Sequence, residues 1–255
     1  MAEVLRQMLP ILILQTGAPP HAVGAAYGGF DRMVGEVAGL GSARLARVAA
    51  YKGEKPEAPS RYAAALITGS RANVTDHASW SEACAGWVRD AMDVSLPLFG
   101  ICYGHQLMSH ALGGRVDYLD GGREIGTQQV ELTRAAAGDA LLEGMPTVFA
   151  AHFIHEQTVA EPPAGAAVLA RNGKDSHQML RYGPQAVSVQ FHPEFTVPVM
   201  RAYFDVMQAG LAGEGLDVRA LRAGVAETPV SHAIMRRFFA RIAAAPSTPA
   251  SADTR

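Results

Sequence analysis

The fold is decided by residues 96–110, Leu96-Pro-Leu-Phe-Gly-Ile-Cys-Tyr-Gly-His-Gln-Leu-Met-Ser-His110. The first half is short and apolar, which predicts a buried β-strand. The second half, from Tyr103 on, predicts a helix that ends at the glycine pair 113–114. Between them lies Cys102, which has a glycine two residues before it and another two residues after it. A reactive side chain at such a strand-to-helix turn is typical of a nucleophile elbow, here with cysteine in place of serine.

The elbow predicts a reactive Cys102. Backbone segments nearly touch in so sharp a turn, so flanking positions without a Cβ are needed. The start of the new helix directs amide dipoles at the sulfur, and these favour the thiolate over the thiol. Cysteine can also serve as a small buried hydrophobe, and that interpretation fits Cys84 well. A buried filler needs no glycines, so Cys102 is predicted to be a nucleophile.

Composition and charge limit the classes of protein to which this chain can belong. The chain has 255 residues, of which 49% are apolar and 18% charged, as in a globular protein with a substantial core. A net charge of −2 and the lack of a basic tract argue against a nucleic-acid binder. Two cysteines far apart in sequence predict no disulfide framework, so a reducing cytoplasm is expected. No apolar run is long enough to cross a bilayer, and the run after Arg6 is too short for a signal peptide.

The first half of the chain alternates strand and helix patterns. Apolar runs of strand length occupy residues 11–15, 62–68 and 96–101, and residues 43–51 are a further strand candidate in which arginines alternate with apolar residues. Helices are predicted at 23–39 and 77–92, the second capped by Asp76 and with its apolar face formed by Trp80, Cys84, Trp87 and Val88. This alternation predicts an α/β fold, a doubly wound and mostly parallel central sheet flanked by helices, as in a flavodoxin-like three-layer sandwich.

After Gly114 the strand-like runs are shorter and turn signals separate them. The predicted strands lie at 115–119, 124–133, 147–153, 157–159, 166–170, 177–181 and 186–190. They predict a small antiparallel extension of the sheet with a flap. Helices follow at 199–211, 220–226 and 231–244. Without a linker or a repeat, we expect one domain over residues 1–245 and a disordered tail over 246–255.

A cysteine nucleophile needs a base, and His192 is the strongest candidate. An apolar strand delivers it to the carboxyl edge of the sheet, and Pro193 ends the strand pairing there. Glu194 can reach back to the far nitrogen of the imidazole. With Cys102 these residues would form a triad of nucleophile, general base and orienting carboxylate. Alone, the pair could equally be a strand-end cap; beside the elbow, the catalytic interpretation is favoured.

Acyl transfer also needs donors for an oxyanion. The amide of Tyr103, one residue past the nucleophile, is one predicted donor. The second is the amide of Ser70, in the loop of Gly69 and Ser70 that follows the strand at 62–68. The alternative for this loop is an ordinary glycine turn.

The remaining histidines carry weaker signals. His152 and His155 could suggest a metal site together with His192 and Glu194. Their spacing matches no zinc pattern, and strand residues three apart face opposite sides of a sheet. We therefore predict no metal site and no organic cofactor.

Residues 100–106 (GICYGHQ) together with 190–194 (QFHPE) resemble the signature of the class I, triad-type glutamine amidotransferases. The resemblance covers residues 11–204, and the chain is similar to stand-alone members related to the glutaminase domain of GMP synthase. It implies that Cys102 attacks the side-chain amide of glutamine, forms a γ-glutamyl thioester and releases ammonia. His192 would shuttle the proton and Glu194 would orient the imidazole.

The resemblance also implies substrate contacts. Gln106 would contact the amino-acid end of the substrate, as the family's Cys-x-Gly-x-Gln motif suggests. Gly69 and Ser70 fall where the family has its oxyanion loop. His155 begins a stretch, 155–159, that resembles the family's His-x-Asp-x-Val segment beside the glutamine pocket.

Three residues depart from the family pattern. Gln157 stands where many members have aspartate, and Ser70 and Arg71 replace the second glycine and the proline of the usual Gly-Gly-Pro loop. These changes leave the triad intact and put the substrate in question. Arg71 adds a cation near the pocket mouth, which either meets a carboxylate beyond the γ-glutamyl group or is solvated.

Three functions remain open at this point. The first is a glutaminase that passes ammonia to a separate synthase subunit, since no acceptor domain is recognisable in the 255 residues. The second is a γ-glutamyl hydrolase or peptidase that acts on a γ-glutamyl conjugate with water as the acceptor. The third is a catalytically silent regulatory or binding module, which the intact set of triad residues argues against. The expected partners are thus a small-molecule substrate and a possible synthase subunit, without nucleic acid or membrane.

Overall fold

The structure is a computed structural model that describes residues 8–244. The tail predicted at 246–255 lies outside the described residues. The strands are β1 (Ile11–Gln15), β2 (Leu45–Ala49), β3 (Ala64–Ile67), β4 (Leu98–Ile101), β5 (Arg115–Tyr118), β6 (Glu124–Leu132), β7 (Val148–His155), β8 (Gln157–Glu161), β9 (Ala167–Arg171), β10 (Met179–Gly183) and β11 (Ala186–Val189). The helices are α1 (His21–Tyr27), α2 (Phe30–Ala38), α3 (Ser79–Asp93), α4 (Tyr103–Ala111), α5 (Val197–Gly213), α6 (Val218–Ala223) and α7 (Pro229–Ala244).

The central sheet has nine strands in the order β2-β1-β3-β4-β11-β10-β9-β6-β7. The pairs from β2 to β11 are all parallel, and the pairs from β11 to β7 are all antiparallel. The parallel half has the strand order of flavodoxin-like folds. The predicted fold class, with its antiparallel extension, is therefore confirmed.

Both faces of the inner parallel strands β1, β3, β4 and β11 are buried, because helices cover each face, whereas the edge strand β2 is partly exposed. Along β1, Ile11 and Ile13 belong to the apolar cluster that includes residues of α2 and α7. Leu12 and Leu14 belong to the cluster that includes residues of α3 and α4. Successive strand side chains point to opposite faces, so a strand buried on both faces becomes a continuous apolar run. That is why these strands were predictable from hydropathy alone.

Two expectations for the helices are wrong. The helix predicted at 23–39 is two helices, because Gly28 has a φ of 85°, and the chain turns there before α2 begins. Asp76 does not cap α3. It lies in a 3-10 turn, Val74–Asp76, which ends at His77 with a φ of 47°, and α3 begins only at Ser79.

The predicted apolar face of α3 is observed. Cys84, Trp87 and Val88 are buried in the cluster shared with α4, and partly buried Trp80 packs against it. Within the described residues, no helix combines the length and the apolar character that a membrane crossing requires.

The topology brings three loops to one edge of the sheet. β3, β4 and β11 are adjacent and parallel, so their carboxyl ends lie side by side. The loops that follow them carry Ser70, Cys102 and His192 respectively. The carboxyl edge of parallel strands is where doubly wound sheets bind ligands. A separate two-stranded sheet of β5 and β8 holds the turn after β7 beside this edge.

Candidate active site

Cys102 lies at a strained turn between β4 and α4. Its φ of 50° and ψ of −99° lie in a region that side-chain-bearing residues seldom adopt. Its amide donates to the Val189 carbonyl at 2.9 Å, which ties the turn to the neighbouring strand β11. The thiol is buried and lies 3.7 Å from the Ile154 carbonyl.

The two glycines around Cys102 are needed for the close approach of the backbone. A Cβ built on Gly100 would lie 2.6 Å from the Gly104 carbonyl oxygen. A Cβ built on Gly104 would lie 2.4 Å from the Ile67 carbonyl oxygen at the end of β3. Both distances are shorter than non-bonded atoms can tolerate, so the turn excludes a side chain at either position.

His192 and Glu194 form a buried pair beside Cys102. His192 Nδ1 donates to Glu194 Oε1 at 2.8 Å, and the two side chains are 6% and 1% exposed. The ring of Phe195 stacks on His192 with a centroid distance of 4.1 Å, and Tyr203 stacks in turn on Phe195 at 4.9 Å. The imidazole is therefore fixed both by its carboxylate partner and by a series of stacked rings.

The charge state of His192 follows from its neighbours. Burial acts to lower its pKa, but the negative charges of Glu194 and Cys102 and the hydrogen bonds with both groups outweigh burial and raise the pKa to about 10. The imidazole is therefore protonated near neutral pH, and its positive charge lies close enough to Cys102 for the two groups to interact. A thiolate beside an imidazolium is the reactive form of a cysteine nucleophile.

The loop after β3 lies against both residues. A Cβ on Gly69 would meet His192 Cε1 at 3.0 Å and Cys102 Cβ at 3.6 Å, so this position is closely confined. The amides of Ser70 and Tyr103 donate to no acceptor among residues 8–244. Two amides without an acceptor, in the loop against the thiol and at the start of α4, are suited to bind an oxyanion.

Gln106 lines the cavity and is fixed by two acceptors. Its Nε2 donates to the Gln157 carbonyl at 2.7 Å and to Gln190 Oε1 at 3.1 Å. With the nitrogen used inside the protein, the oxygen of the same amide is the group that can accept from a ligand.

His155 also lines the cavity, but both of its ring nitrogens are occupied. Nδ1 donates to the Gln157 carbonyl at 2.9 Å and Nε2 donates to Glu124 at 2.8 Å. Both nitrogens are thus engaged by partners within the protein. His155 therefore presents ring carbons to a ligand rather than a free nitrogen.

Glu124 is the centre of a buried network. Besides His155, it accepts from Gln178 Nε2 at 2.7 Å and from Asn172 Nδ2 at 2.5 Å. The carboxylate is almost fully shielded from water, yet three donors satisfy it. The network fixes the start of β6 and the end of β7, and through His155 it holds the wall of the cavity.

The cavity has a volume of about 450 Å³ and reaches from Cys102 to the surface. That volume is within the range of small-molecule sites. Its mouth carries charge of both signs: Arg71 and Arg123, Glu156 and Glu214. Arg123 forms ion pairs with Glu156 and, at 2.6 Å, with Glu214 after α5. One wall is the side of α5 that presents Tyr203, Val206, Met207 and Leu211.

Sequence reasoning placed the central residues of this site and missed part of its surroundings. Glu124, Arg123 and Tyr203 were not singled out, because each lies outside the two signature segments. The signal available for Glu124 was an acid shortly after a glycine pair, which many surface turns share. Tyr203 lies in an ordinary helical pattern.

Two other groups lie apart from the cavity. Burial raises the pKa of the Cys84 thiol to about 11, as expected for a core residue.

His77 and His110 each lie 3.0 Å from Glu82, and these three residues form the one set in the described chain whose possible metal-ligand atoms converge within 4.8 Å.

Comparisons with known proteins were made against families, curated sequences and solved structures. The family model described as glutamine amidotransferase class-I matches residues 45–204. γ-Glutamyl peptidase 5 of Arabidopsis thaliana is 25% identical over 184 residues, which are 71% of this chain and 73% of that protein. One of the subunits of the glutamine-hydrolysing GMP synthase from Methanopyrus kandleri is 35% identical over 100 residues, 39% of this chain and 52% of that protein.

The similarity to longer relatives is partial. The chain aligns with 24% of the GMP synthase of Corynebacterium glutamicum strain R, at 33% identity over 133 residues. Among solved structures, a glutamine amidotransferase from Thermotoga maritima superposes with a TM-score of 0.74 at 20% identity, covering 92% of this chain and 98% of that one. At 20% sequence identity, this superposition shows a shared fold and nothing more specific.

Proposed function

The chain belongs to the class I glutamine amidotransferase family, and from this premise we propose that it cleaves γ-glutamyl amides through a thioester on Cys102. The resemblance expected from residues 100–106 and 190–194 is thereby confirmed. The observation that carries the proposed reaction is the buried hydrogen bond of His192 with Glu194 beside Cys102, since the same face of Gly69 contacts both His192 and Cys102.

In the first step the Cys102 sulfur attacks the γ-carbonyl carbon of the substrate, and the carbonyl π electrons move to oxygen. The amides of Ser70 and Tyr103 stabilise that oxyanion. When the tetrahedral adduct collapses, the carbon–nitrogen bond breaks and His192 gives its proton to the leaving nitrogen. The products are a γ-glutamyl thioester and free ammonia or amine.

In the second step water attacks the thioester carbon and His192, now neutral, takes the proton of that water. The carbon–sulfur bond then breaks, glutamate leaves and the thiolate–imidazolium pair is restored. Glu194 keeps the imidazole in one tautomer and orientation through both steps. Gln106 holds the amino-acid end of the γ-glutamyl group through its free amide oxygen.

The test of this function is release of glutamate from glutamine by the purified protein, followed with the wild type and with Cys102→Ser. We expect turnover by the wild type and its loss in the variant. Turnover that survives in Cys102→Ser would contradict the mechanism, because serine in this turn lacks the thiolate.

A second candidate is a γ-glutamyl peptidase that acts on conjugates without a synthase partner. The observation in its favour is the extent of similarity: the γ-glutamyl peptidase alignment spans 71% of this chain, whereas that with the GMP synthase of Methanopyrus kandleri spans 39%. Comparing glutamine with γ-glutamyl peptides, with and without any co-purifying protein, separates the two. Glutamine turnover that rises with a partner supports an ammonia donor, and partner-independent turnover of peptides supports the peptidase.

A further inference from the structure

The position of His192 defines where the leaving group of the substrate lies. In the proposed reaction this residue protonates the leaving nitrogen, so whatever is attached to that nitrogen extends on the His192 side of Cys102. The side chains that surround this part of the cavity come from two places: the loop after β3, where Gly69 lies against His192, and α5, whose Tyr203 stacks on Phe195 next to His192.

Arg71 is the cation of the loop after β3. It follows Gly69 and Ser70 directly, it lines the cavity and its side chain is exposed. The other arginine of the mouth, Arg123, is already paired with Glu156 and Glu214. Arg71, in contrast, forms no ion pair within residues 8–244. It is therefore the positive charge of the cavity that is free to bind an anion.

Tyr203, on α5, lines the same cavity. The ring is almost fully buried in the stack with Phe195, and the hydroxyl has no hydrogen-bond partner in the described part of the chain. Burial, followed by the negative charges of Glu194 and Cys102, raises the pKa of this phenol, and the Arg71 guanidinium acts to lower it. The hydroxyl thus stays a neutral donor, close enough to Arg71 and Cys102 for their charges to affect it.

From this arrangement we propose that Arg71 and the Tyr203 hydroxyl bind a carboxylate on the leaving amine, so that the preferred substrates are γ-glutamyl amino acids. A guanidinium supplies parallel donors that match the two oxygens of a carboxylate, and a phenol adds a third donor. The neutral leaving group of glutamine, ammonia, makes no use of either residue. This inference rests on the proposed γ-glutamyl amide cleavage and names the class of amide.

The experiment compares two substrates that differ in one group, γ-glutamyl-alanine and γ-glutamyl-ethylamine. The second has the same leaving nitrogen and carbon skeleton without the carboxylate. We expect the wild type to have the higher kcat/KM for γ-glutamyl-alanine. We expect Arg71→Met to lower the ratio of the two kcat/KM values about 10- to 100-fold, and Tyr203→Phe to lower it by a smaller factor, as for loss of hydrogen bonds to a charged group. Arg134→Met, which changes an exposed arginine outside the cavity, is the matched control.

Three results would overturn the proposal. One is a wild type without preference for the carboxylate. Another is an equal loss on both substrates in Arg71→Met, which would assign the arginine to the α-carboxylate of the γ-glutamyl group. The third is a ratio that changes as much in Arg134→Met. If the proposed γ-glutamyl amide cleavage itself is wrong, the wild type hydrolyses neither substrate and forms no thioester on Cys102. That result is distinguishable from the three above, in which the wild type is active. Thermal melting of each variant verifies that the fold is retained.

Discussion

Cys102 shows how a single residue depends on the absence of its neighbours' side chains. Its positive φ and the close contacts at Gly100 and Gly104 have one cause: the end of a strand, a turn and the start of a helix occupy the same small volume. The sequence pattern predicts this turn because glycine is the residue that removes the obstacle. The strained backbone of Cys102 is held in place by the packing of β3, β4 and α4 around it.

The turn makes a prediction about stability. Gly100→Ala should destabilise the protein by about 1–3 kcal/mol or more, because the new methyl group overlaps the Gly104 carbonyl. The matched control is Gly173→Ala, since a Cβ at Gly173 meets nothing within 4 Å. Urea unfolding measures both, and a Gly100→Ala variant as stable as Gly173→Ala would contradict the packing described for the turn.

The two thiols should differ sharply in reactivity. A glutamine-directed chloroketone should alkylate Cys102, which faces the cavity beside a protonated imidazole, and spare Cys84, whose pKa burial raises to about 11. Peptide mass spectrometry after short exposure identifies the modified residue. Cys84→Ala should keep the adduct, and Cys102→Ser should lose it. An adduct found on Cys84 would exclude Cys102 as the nucleophile.

His192 should make stability depend on pH in the alkaline range. Its pKa is about 10 in the folded protein and ~6.5 in an unfolded chain, so the folded state holds the proton more tightly. This contribution is complete below ~6.5 and is lost as pH rises through the folded pKa. The melting temperature of the wild type should therefore fall more between neutral pH and about pH 10 than that of His192→Gln. The exposed His21→Gln should follow the wild type, and parallel curves for all three would refute the assignment.

At the scale of elements, hydropathy and glycine positions predicted strands better than helices. The inner parallel strands β1, β3, β4 and β11 are buried on both faces, and their apolar runs leave little choice of structure. The break between α1 and α2 was missed although the glycine pair 28–29 is the same kind of turn signal as the pair 113–114, because the mixed apolar and polar pattern continues on both sides of it. The start of α3 was misplaced because Asp76 has the residue type of a cap but is held in the preceding turn.

The pairing of β6 with β7 depends on the buried Glu124. Glu124→Ala removes the acceptor of three donors, on His155, Gln178 and Asn172. We therefore expect this variant to lose about 3–5 kcal/mol in the free energy of unfolding. Glu131→Ala on the same strand is the control, because its partner Arg171 lies 3.8 Å away and both side chains are 58% exposed. That change should stay within about 0.5 kcal/mol. Equal losses in the two variants would show that the Glu124 network does not support the fold.

For the whole molecule, the strand order explains which parts of the candidate site were predictable. Neighbouring parallel strands end at one edge, so residues at the ends of β3, β4 and β11 had to meet once the fold class was known. No such topological rule predicts which residues meet at the mouth of the cavity. Arg123, Glu214 and Tyr203 meet there because α5 packs over the sheet, and that packing depends on the shape of side chains rather than on a periodic pattern.

The same topology predicts a gradient of backbone protection. β3, β4 and β11 lie within the sheet with a neighbour on either side, whereas β2 and β7 are its outer strands. Amide hydrogen exchange should therefore be slowest in the three inner strands and faster in β2 and β7. Exchange in β4 as fast as in β2 would contradict the order of strands described above.

The glycine pair at 113–114 separates the chain into two parts that meet in the sheet. The part before it holds β1 to β4 with Cys102, and the part after it holds β11 with His192, joined to β4 by parallel pairing. Severing the chain at this pair would give two fragments, one with the thiol and one with the imidazole, and by the proposed mechanism neither fragment alone would cleave a γ-glutamyl amide. Fused to two proteins of interest, such fragments would form a complementation sensor whose signal, on the proposed function, is glutamate release.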